Sequence, residues 1–300
     1  MDIGIGLPNM IAGVEGGRVL EWAWEAEQAG FSCLATTDRL VYGGYDPLPT
    51  LAAAAAVTTR CRLMTSVLLS PLHTSTALLA KQIATVDRLA GGRLVLGLAV
   101  GRRRDDYAAA GAEYRGRGAA LEAQLDEMAR IWGGEPRGIA GPIGPAPYSA
   151  GGPEIILGGE SPAAMDRAAR RAAGWISGSA GAALFAQGAA AVRDRWQRHG
   201  RTGRPRLLGL CYFSLGPDAE RSAEEHLLGY YGFARPYAEL VLRSAAVGES
   251  RLRATVQRYQ DAGCDELLLM PCSSDLEQVE LLRDCVHAGQ VPAHAGTPGS

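Results

Sequence analysis

The densest chemistry in the chain lies where an apolar run stops. After Leu94-Val95-Leu96-Gly97-Leu98-Ala99-Val100-Gly101 come Arg102, Arg103, Arg104, Asp105 and Asp106. Guanidinium groups hold carboxylate or phosphate in bidentate fashion, so these arginines, with Arg39, suit a small anionic substrate or a charged cofactor tail. The same residues also read as a solvated loop in which the arginines pair with Asp105 and Asp106. His73 follows Ser70-Pro71-Leu72 and is of the residue type whose titration range suits protonation chemistry, although a loop histidine is more often a bystander. Tyr42, Tyr45 and Tyr107 suit stacking on a ring, proton donation or plain packing. The six cysteines, Cys33, Cys61, Cys211, Cys264, Cys272 and Cys285, show no CxxC or Cys/His clustering. They read as reduced core thiols of a cytoplasmic protein, with no metal site.

The elements that must position these groups alternate along the chain. Val95, Leu96, Leu98 and Val100 are too continuous for a strand with one wet face, so this strand should be covered on both sides, as in a parallel sheet. Gly91-Gly92 supplies the left-handed residues that end the preceding helix. Eight strands are expected: Ile3 to Leu7, Cys33 to Thr37, Leu63 to Leu69, Leu94 to Val100, Glu154 to Leu157, Trp175 to Ser177, Leu207 to Leu215 and Glu266 to Met270. Helical patterns separate them, the clearest being Leu121, Leu125, Met128 and Trp132 on one face. Ser161-Pro162 is a helix start, with serine as cap and proline at the first helical position.

Eight strands alternating with helices predict a (β/α)8 TIM barrel, an α/β fold whose active sites lie at the C-terminal ends of the strands. Two insertions are expected, the Gly/Pro-rich stretch Gly133 to Pro153 after the fourth helix and Pro217 to Gly263 between strands seven and eight; both are candidate lids. The reading is one domain over residues 1–293, with 294–300 a disordered tail.

Composition narrows the classes. Of 300 residues, 47% are hydrophobic and 21% charged, enough for a large core. A net charge of -2 gives no reason to expect nucleic acid as a partner. The N-terminus lacks a signal-peptide pattern, and the apolar run Leu51 to Val57 is far too short to cross a bilayer. Gly97 and Gly101 do not form a GxGxxG fingerprint, which argues against a dinucleotide-binding Rossmann domain.

Several segments together resemble the bacterial-luciferase-like oxidoreductases, a (β/α)8 superfamily that uses FMN or the deazaflavin coenzyme F-420. They are Glu27-Gln28-Ala29-Gly30-Phe31, Asp38-Arg39-Leu40, Thr65-Ser66-Val67-Leu68, Leu79 to Leu89 leading into the strand-four motif, Arg115-Gly116-Arg117, Ile131-Trp132, Leu157-Gly158-Gly159 and Ala173-Gly174-Trp175-Ile176-Ser177. The resemblance runs from residue 1 to about 285. It implies a ring bound in the barrel mouth beside Asp38, Ser66, Val67 and Gly101, with a non-proline cis peptide at Ser66-Val67 forming a bulge behind it.

It also implies that the cofactor phosphate is held after strands five and six, by Gly158, Gly159 and Ser161 and by Ser177, Gly178 and Ser179. Local chemistry agrees, since glycines admit an anion to the backbone and the helix starting at Ser161-Pro162 favours negative charge at its N-terminus. Glu160 should then turn its side chain away. Ordinary barrel turns are the competing reading.

The chain departs from the family at telling positions. Arg39 stands where relatives often carry histidine after the strand-two acid, Asp38. Arg102 stands where F-420 sugar-phosphate dehydrogenases carry glutamate, and Gly181 where some F-420 enzymes carry a phosphate-binding lysine. These changes argue against alcohol oxidation by that pair. Candidate catalytic residues are Asp38, Arg39, His73 and Arg102. The expected function is hydride transfer between F-420 or FMN and a small organic substrate. The alternatives are an FMN-dependent monooxygenase using oxygen and a non-catalytic flavin-binding or sensor barrel. The resemblance further implies a homodimer and a separate flavin or F-420 reductase as partner.

Overall fold

Strands whose side chains are apolar on both faces must be enclosed on both faces, and a closed ring of parallel strands inside a layer of helices achieves this. In the computed structural model, which describes residues 1–287, the strands are β1 (Asp2–Gly6), β2 (Cys33–Thr36), β3 (Arg62–Leu68), β4 (Leu94–Leu98), β5 (Glu154–Gly158), β6 (Gly174–Ile176), β7 (Arg206–Ser214), β8 (Ala246–Val247) and β9 (Glu266–Pro271). β1 through β7 pair in sequence up to the β6–β7 contact, and β9 lies between β7 and β1, so eight parallel strands close a barrel. β8, absent from the sequence expectation, is two residues paired to the C-terminal end of β7. The expected tail, 294–300, lies outside the described residues.

The helices are α1 (Gly16–Gln28), α2 (Pro47–Val57), α3 (Thr76–Leu89), α4 (Arg104–Ala110), α5 (Arg117–Trp132), α6 (Pro162–Arg171), α7 (Ala182–Arg198), α8 (Ala219–Tyr231), α9 (Arg235–Ser244), α10 (Glu249–Asp261) and α11 (Glu277–His287). Their apolar faces and the outward strand residues make one core, including Trp22, Leu51, Ile83, Leu96, Met128, Trp175 and Phe185. The barrel interior holds a second, with Cys33, Ala35, Met64, Val95, Ile156, Ile176, Leu208, Leu268 and Met270. Glycine is required where strands approach most closely: a Cβ on Gly97 would lie 2.0 Å from the Thr65 carbonyl oxygen.

At the N-terminal rim Glu266 is buried and receives Arg62 at 3.0 Å, Arg206 at 2.5 Å and the Ser32 hydroxyl at 2.5 Å. Glu27, at the end of α1, accepts the backbone N–H groups of Thr59, Arg60 and Cys61, tying that helix to the turn before β3. Polar networks on this face of a barrel serve stability.

The two insertions behave differently. The stretch Gly133 to Pro153 precedes β5 and is pinned to α3. Lys81 Nζ reaches the Gly144 carbonyl, Arg88 Nε reaches Ala146, and buried Asp87 accepts from the Tyr148 and Ser149 amides. It contributes nothing to the mouth, so this candidate lid is corrected to a surface brace. The stretch Pro217 to Gly263 folds into α8, α9, β8 and α10, and α8 and α9 wall the mouth. The Ser66–Val67 peptide is cis, with a register shift against β4 between Thr65 and Leu68, where the resemblance placed it.

Candidate active site

The C-terminal ends of β2 to β6 and the α8–α9 insertion enclose a cavity of about 490 Å³, within the range of small-molecule sites. Val67, Leu69, Ala99, Ile176 and Leu210 supply its apolar floor, and Tyr212, Tyr230, Tyr231, Phe233 and Tyr237 one wall. The candidate catalytic and cofactor-binding residues all line it except His73, whereas Arg104, Tyr42, Tyr45 and Tyr107 lie outside it, the Tyr45 hydroxyl donating to the Val14 carbonyl and that of Tyr107 to the Val100 carbonyl. A short 3-10 turn at Ser70–Leu72 carries the chain away, and the His73 carbonyl accepts Gln124 Nε2 at 2.9 Å on a separate surface groove. His226, on α8, stands nearer the mouth. Its ring lies 5.8 Å from that of Tyr212 and 5.9 Å from that of Tyr230, and burial pushes its pKa down to about 4.

Asp38 follows β2 and accepts the Leu69 amide at 2.7 Å. Burial raises its pKa to about 7 against that hydrogen bond, with the charges of Asp46 and Asp106 adding to the rise. The carboxyl therefore exchanges a proton near neutrality beside the cavity.

The arginines are engaged within the chain. Arg39 is buried, donates to the Tyr230 carbonyl and lies 4.8 to 5.2 Å from the centroids of Tyr42, Tyr230 and Phe233. Arg103 pairs with Asp105 and approaches Asp106 at 3.5 Å, the partners that the solvated-loop reading named, but the segment is helical from Arg104 and the Arg103 and Asp106 side chains are largely buried rather than solvated. Arg102 instead pairs with Glu160 and sits 4.8 Å over the Tyr237 ring. Glu160 thus lines the cavity rather than turning away: its Oε1 lies 2.5 Å from where a Gly178 Cβ would be, drawn there by Arg102.

The sequence that builds this mouth matches a known family over residues 1–268, described as luciferase-like monooxygenase. The chain belongs to the luciferase-like monooxygenase family. An uncharacterised protein of Mycobacterium tuberculosis is 30% identical over 173 residues, 55% of this chain and 61% of that protein. The chain thus spans about three-fifths of that relative's length. An F-420-dependent glucose-6-phosphate dehydrogenase of Nakamurella multipartita is 30% identical over 207 residues, 61% of this chain and 59% of that enzyme. An FMNH2-dependent dimethylsulfone monooxygenase of Pseudomonas fluorescens is 31% identical over 159 residues, covering 48% and 43%. Among solved structures, an F-420-dependent secondary alcohol dehydrogenase superposes with a TM-score of 0.78 at 15% identity, covering 97% of this chain and 100% of that one. The oxygenating component of a diketocamphane monooxygenase from Pseudomonas putida superposes at 0.74 and 18% identity, covering 97% and 99%.

The luciferase-like mouth has features a ring cofactor would use. The buried hydroxyls of Ser66 and Ser177 have no hydrogen-bond partner among the described residues, and both line the cavity. Gly159, at φ +124°, opens the segment after β5, where a Cβ would meet Ala164 at 2.7 Å. Ser161 is committed to capping α6 through the Ala164 amide at 3.2 Å, leaving the backbone of that first turn to face an anion. Gly158 points its missing side chain toward Val67, Ala99 and Ile176 at 3.4 to 3.5 Å, so it belongs to the cavity floor. The aromatic wall was not foreseen. Its signal was the run Tyr230-Tyr231-Gly232-Phe233 followed by Tyr237, dense for a chain with 6% aromatics.

Proposed function

We propose that the chain is a flavin-type oxidoreductase that binds coenzyme F-420 in the barrel mouth and acts on a small organic substrate held against the α8–α9 wall. One observation carries the reading: the apolar cavity over Ser66–Val67 is furnished with the unpartnered hydroxyls of Ser66 and Ser177 and edged by Asp38. A bound deazaflavin or flavin supplies two-electron hydride chemistry; the barrel supplies orientation and electrostatics. Similarity to the Nakamurella enzyme over 207 residues supports F-420.

Within this reading Val67, Ala99 and Ile176 form an apolar seat for the ring, and Ser66 and Ser177 donate to its polar atoms. The Gly159–Ser161 turn and the Ser177–Ser179 segment receive the phosphate. Asp38 holds or releases a proton beside the cavity. The tyrosine wall and the Arg102–Glu160 pair restrict water. Arg39 and Arg102 stand where the F-420 sugar-phosphate dehydrogenases place their acid/base pair, so the substrate differs from theirs. A separate reductase recharges the cofactor.

Similarity to the FMNH2-dependent dimethylsulfone enzyme supports a second reading, an oxygen-using monooxygenase. Turnover of reduced F-420 and reduced FMN, under air and under nitrogen and corrected for uncoupled oxidation, separates the two. Substrate-dependent oxidation of F-420 in both gases supports the first reading, and oxygen-dependent FMN turnover the second. Binding without oxidation in either gas makes the chain a sensor.

A further inference from the structure

Arg39 is a buried charge that meets no opposite charge. It follows β2, lines the cavity and is 9% exposed. A guanidinium carries five N–H donors, and each needs an acceptor once water is excluded. Here Nη1 donates to the Tyr230 carbonyl, Nε is buried with no partner, and no carboxylate pairs with the group among the described residues. Its other neighbours are the rings of Tyr42 at 4.9 Å, Tyr230 at 4.8 Å and Phe233 at 5.2 Å. Ring faces and the last carbonyls of α8 offer only partial negative charge. Asp38, next in sequence, does not complete a pair. Its carboxylate accepts the Leu69 amide, and Arg39 reaches it through the backbone N–H.

The other charges leave the mouth positive. Four arginines line the cavity against the carboxyls of Asp38, Asp106 and Glu160, and burial pushes Asp38 toward its neutral form. Arg102 is matched by Glu160, and Arg103 by Asp105 and Asp106. Arg117, like Arg39, has no carboxylate partner among the described residues. Yet its Nε and Nη1 are taken by the Gly101 and Tyr114 carbonyls at 3.4 Å and 3.1 Å, and it packs 3.9 Å over the Tyr114 ring. Arg39 instead packs on Tyr230 and Phe233, which belong to the wall where the substrate is proposed to lie. The edge of Arg39 formed by Nε and Nη2 matches the two oxygens of a carboxylate. A phosphoryl dianion would bring a second charge that one guanidinium leaves unmatched.

We propose that Arg39 binds the carboxylate of the substrate against the α8–α9 wall, so that the substrate is an organic acid. This assignment deepens the redox reading of the same mouth and rests on it for the reaction, though not for the binding. The cofactor phosphate is a separate anion, received after β5 and β6, whereas Arg39 follows β2.

The test uses the whole chain and three matched probes: 3-phenylpropanoate, the uncharged 3-phenylpropanamide and the more highly charged 2-phenylethylphosphonate. Affinities are read by calorimetry for the wild type, Arg39→Gln, Arg39→Lys and Arg117→Gln, with F-420 and FMN affinities measured on the same samples. The acid is expected to bind the wild type at least about tenfold tighter than the amide or the phosphonate. Arg39→Gln is expected to bring acid and amide within about twofold while the amide and cofactor affinities hold. Arg39→Lys keeps the charge and should retain part of the preference, and Arg117→Gln should retain it in full. With the arginine nitrogens isotope-labelled, the Arg39 Nε–H resonance, identified by its loss in Arg39→Lys, should shift with the acid and stay in place with the amide. That readout keeps the assignment testable if Arg39→Gln fails to fold. Equal binding of acid and amide by the wild type, tightest binding of the phosphonate, or an acid preference that survives Arg39→Gln would overturn the assignment. So would an Arg39→Gln variant that weakens the amide as much as the acid, which would make Arg39 a clasp on α8. A wild type that prefers the acid yet binds neither cofactor would support the Arg39 site and count against the redox reading; cofactor binding without the preference would do the reverse.

Discussion

Arg102, four residues beyond β4, and Glu160, two residues beyond β5, form an ion pair at the barrel mouth, and the Arg102 guanidinium rests 4.8 Å over the Tyr237 ring. The pair joins the barrel rim to the α8–α9 insertion at the edge of the cavity. Its partners remain 56% and 36% exposed, so the pair adds little to global stability, and its consequence is local charge.

Glu160 places a carboxylate beside Gly178, in the segment proposed to receive the cofactor phosphate. Removing that charge should favour an anion. Glu160→Gln is expected to lower the Kd for FMN and F-420 by about two- to tenfold at low salt, with the gain shrinking as ionic strength rises. Equilibrium titration at two salt concentrations checks this, and weaker binding in the variant would contradict it.

Asp38 makes stability depend on pH. Its folded pKa of about 7 lies above the ordinary value, so the folded state holds more protons between about pH 4 and 7, and stability falls as pH rises through that window. Asp38→Asn keeps an acceptor for the Leu69 amide and removes the titration. Chemical denaturation should find the variant about 1–3 kcal/mol more stable than the wild type at pH 8, with the difference fading toward pH 4. An advantage independent of pH would count against a neutral folded-state carboxyl.

Glu27 illustrates the opposite sign. Burial disfavours its charge, yet the Arg60, Cys61 and Thr59 amides hold its pKa down at about 2, so its contribution is present above the ordinary carboxylate range and is lost as pH falls toward 2. Glu27→Ala strands three N–H groups and should cost about 2–4 kcal/mol at pH 7, read from denaturant midpoints. A near-neutral substitution would mean that water replaces the carboxylate.

Ser177 separates folding from binding. Its hydroxyl is buried without a partner among the described residues, so Ser177→Ala should leave the melting temperature of the cofactor-free chain unchanged or slightly raised while weakening cofactor binding about five- to tenfold. Lost stability with unchanged affinity would assign the hydroxyl a structural role.

What could be read from the sequence and what could not divide along a physical line. The eight barrel strands were legible because two-sided burial is written as apolar runs such as Leu94 to Leu98, with glycines between helix and strand. The Ser66–Val67 bulge followed from a set of family motifs. The α4 helix was hidden by its charges, Arg104-Asp105-Asp106 reading as loop until Asp106 is seen buried and accepting the Val41 amide. Glu160 was misplaced because its partner Arg102 is 58 residues away. The tyrosine wall was invisible as a site because α8 and α9 reach the mouth only after the barrel closes. His73 was favoured by its position after β3, and the turn at Ser70–Leu72 that removes it is joined to α5 by the Ser70–Gln124 hydrogen bond of 2.6 Å, a contact between residues 54 apart in sequence.

Titration of the purified chain with F-420 and with FMN, followed by absorbance and fluorescence, bears most directly on the claim that the mouth over Ser66 and Val67 is a ring site. The account predicts saturable binding of F-420 at about one per chain, weakened in Ser177→Ala and strengthened in Glu160→Gln. Binding of neither cofactor, or binding that ignores both substitutions, would contradict it.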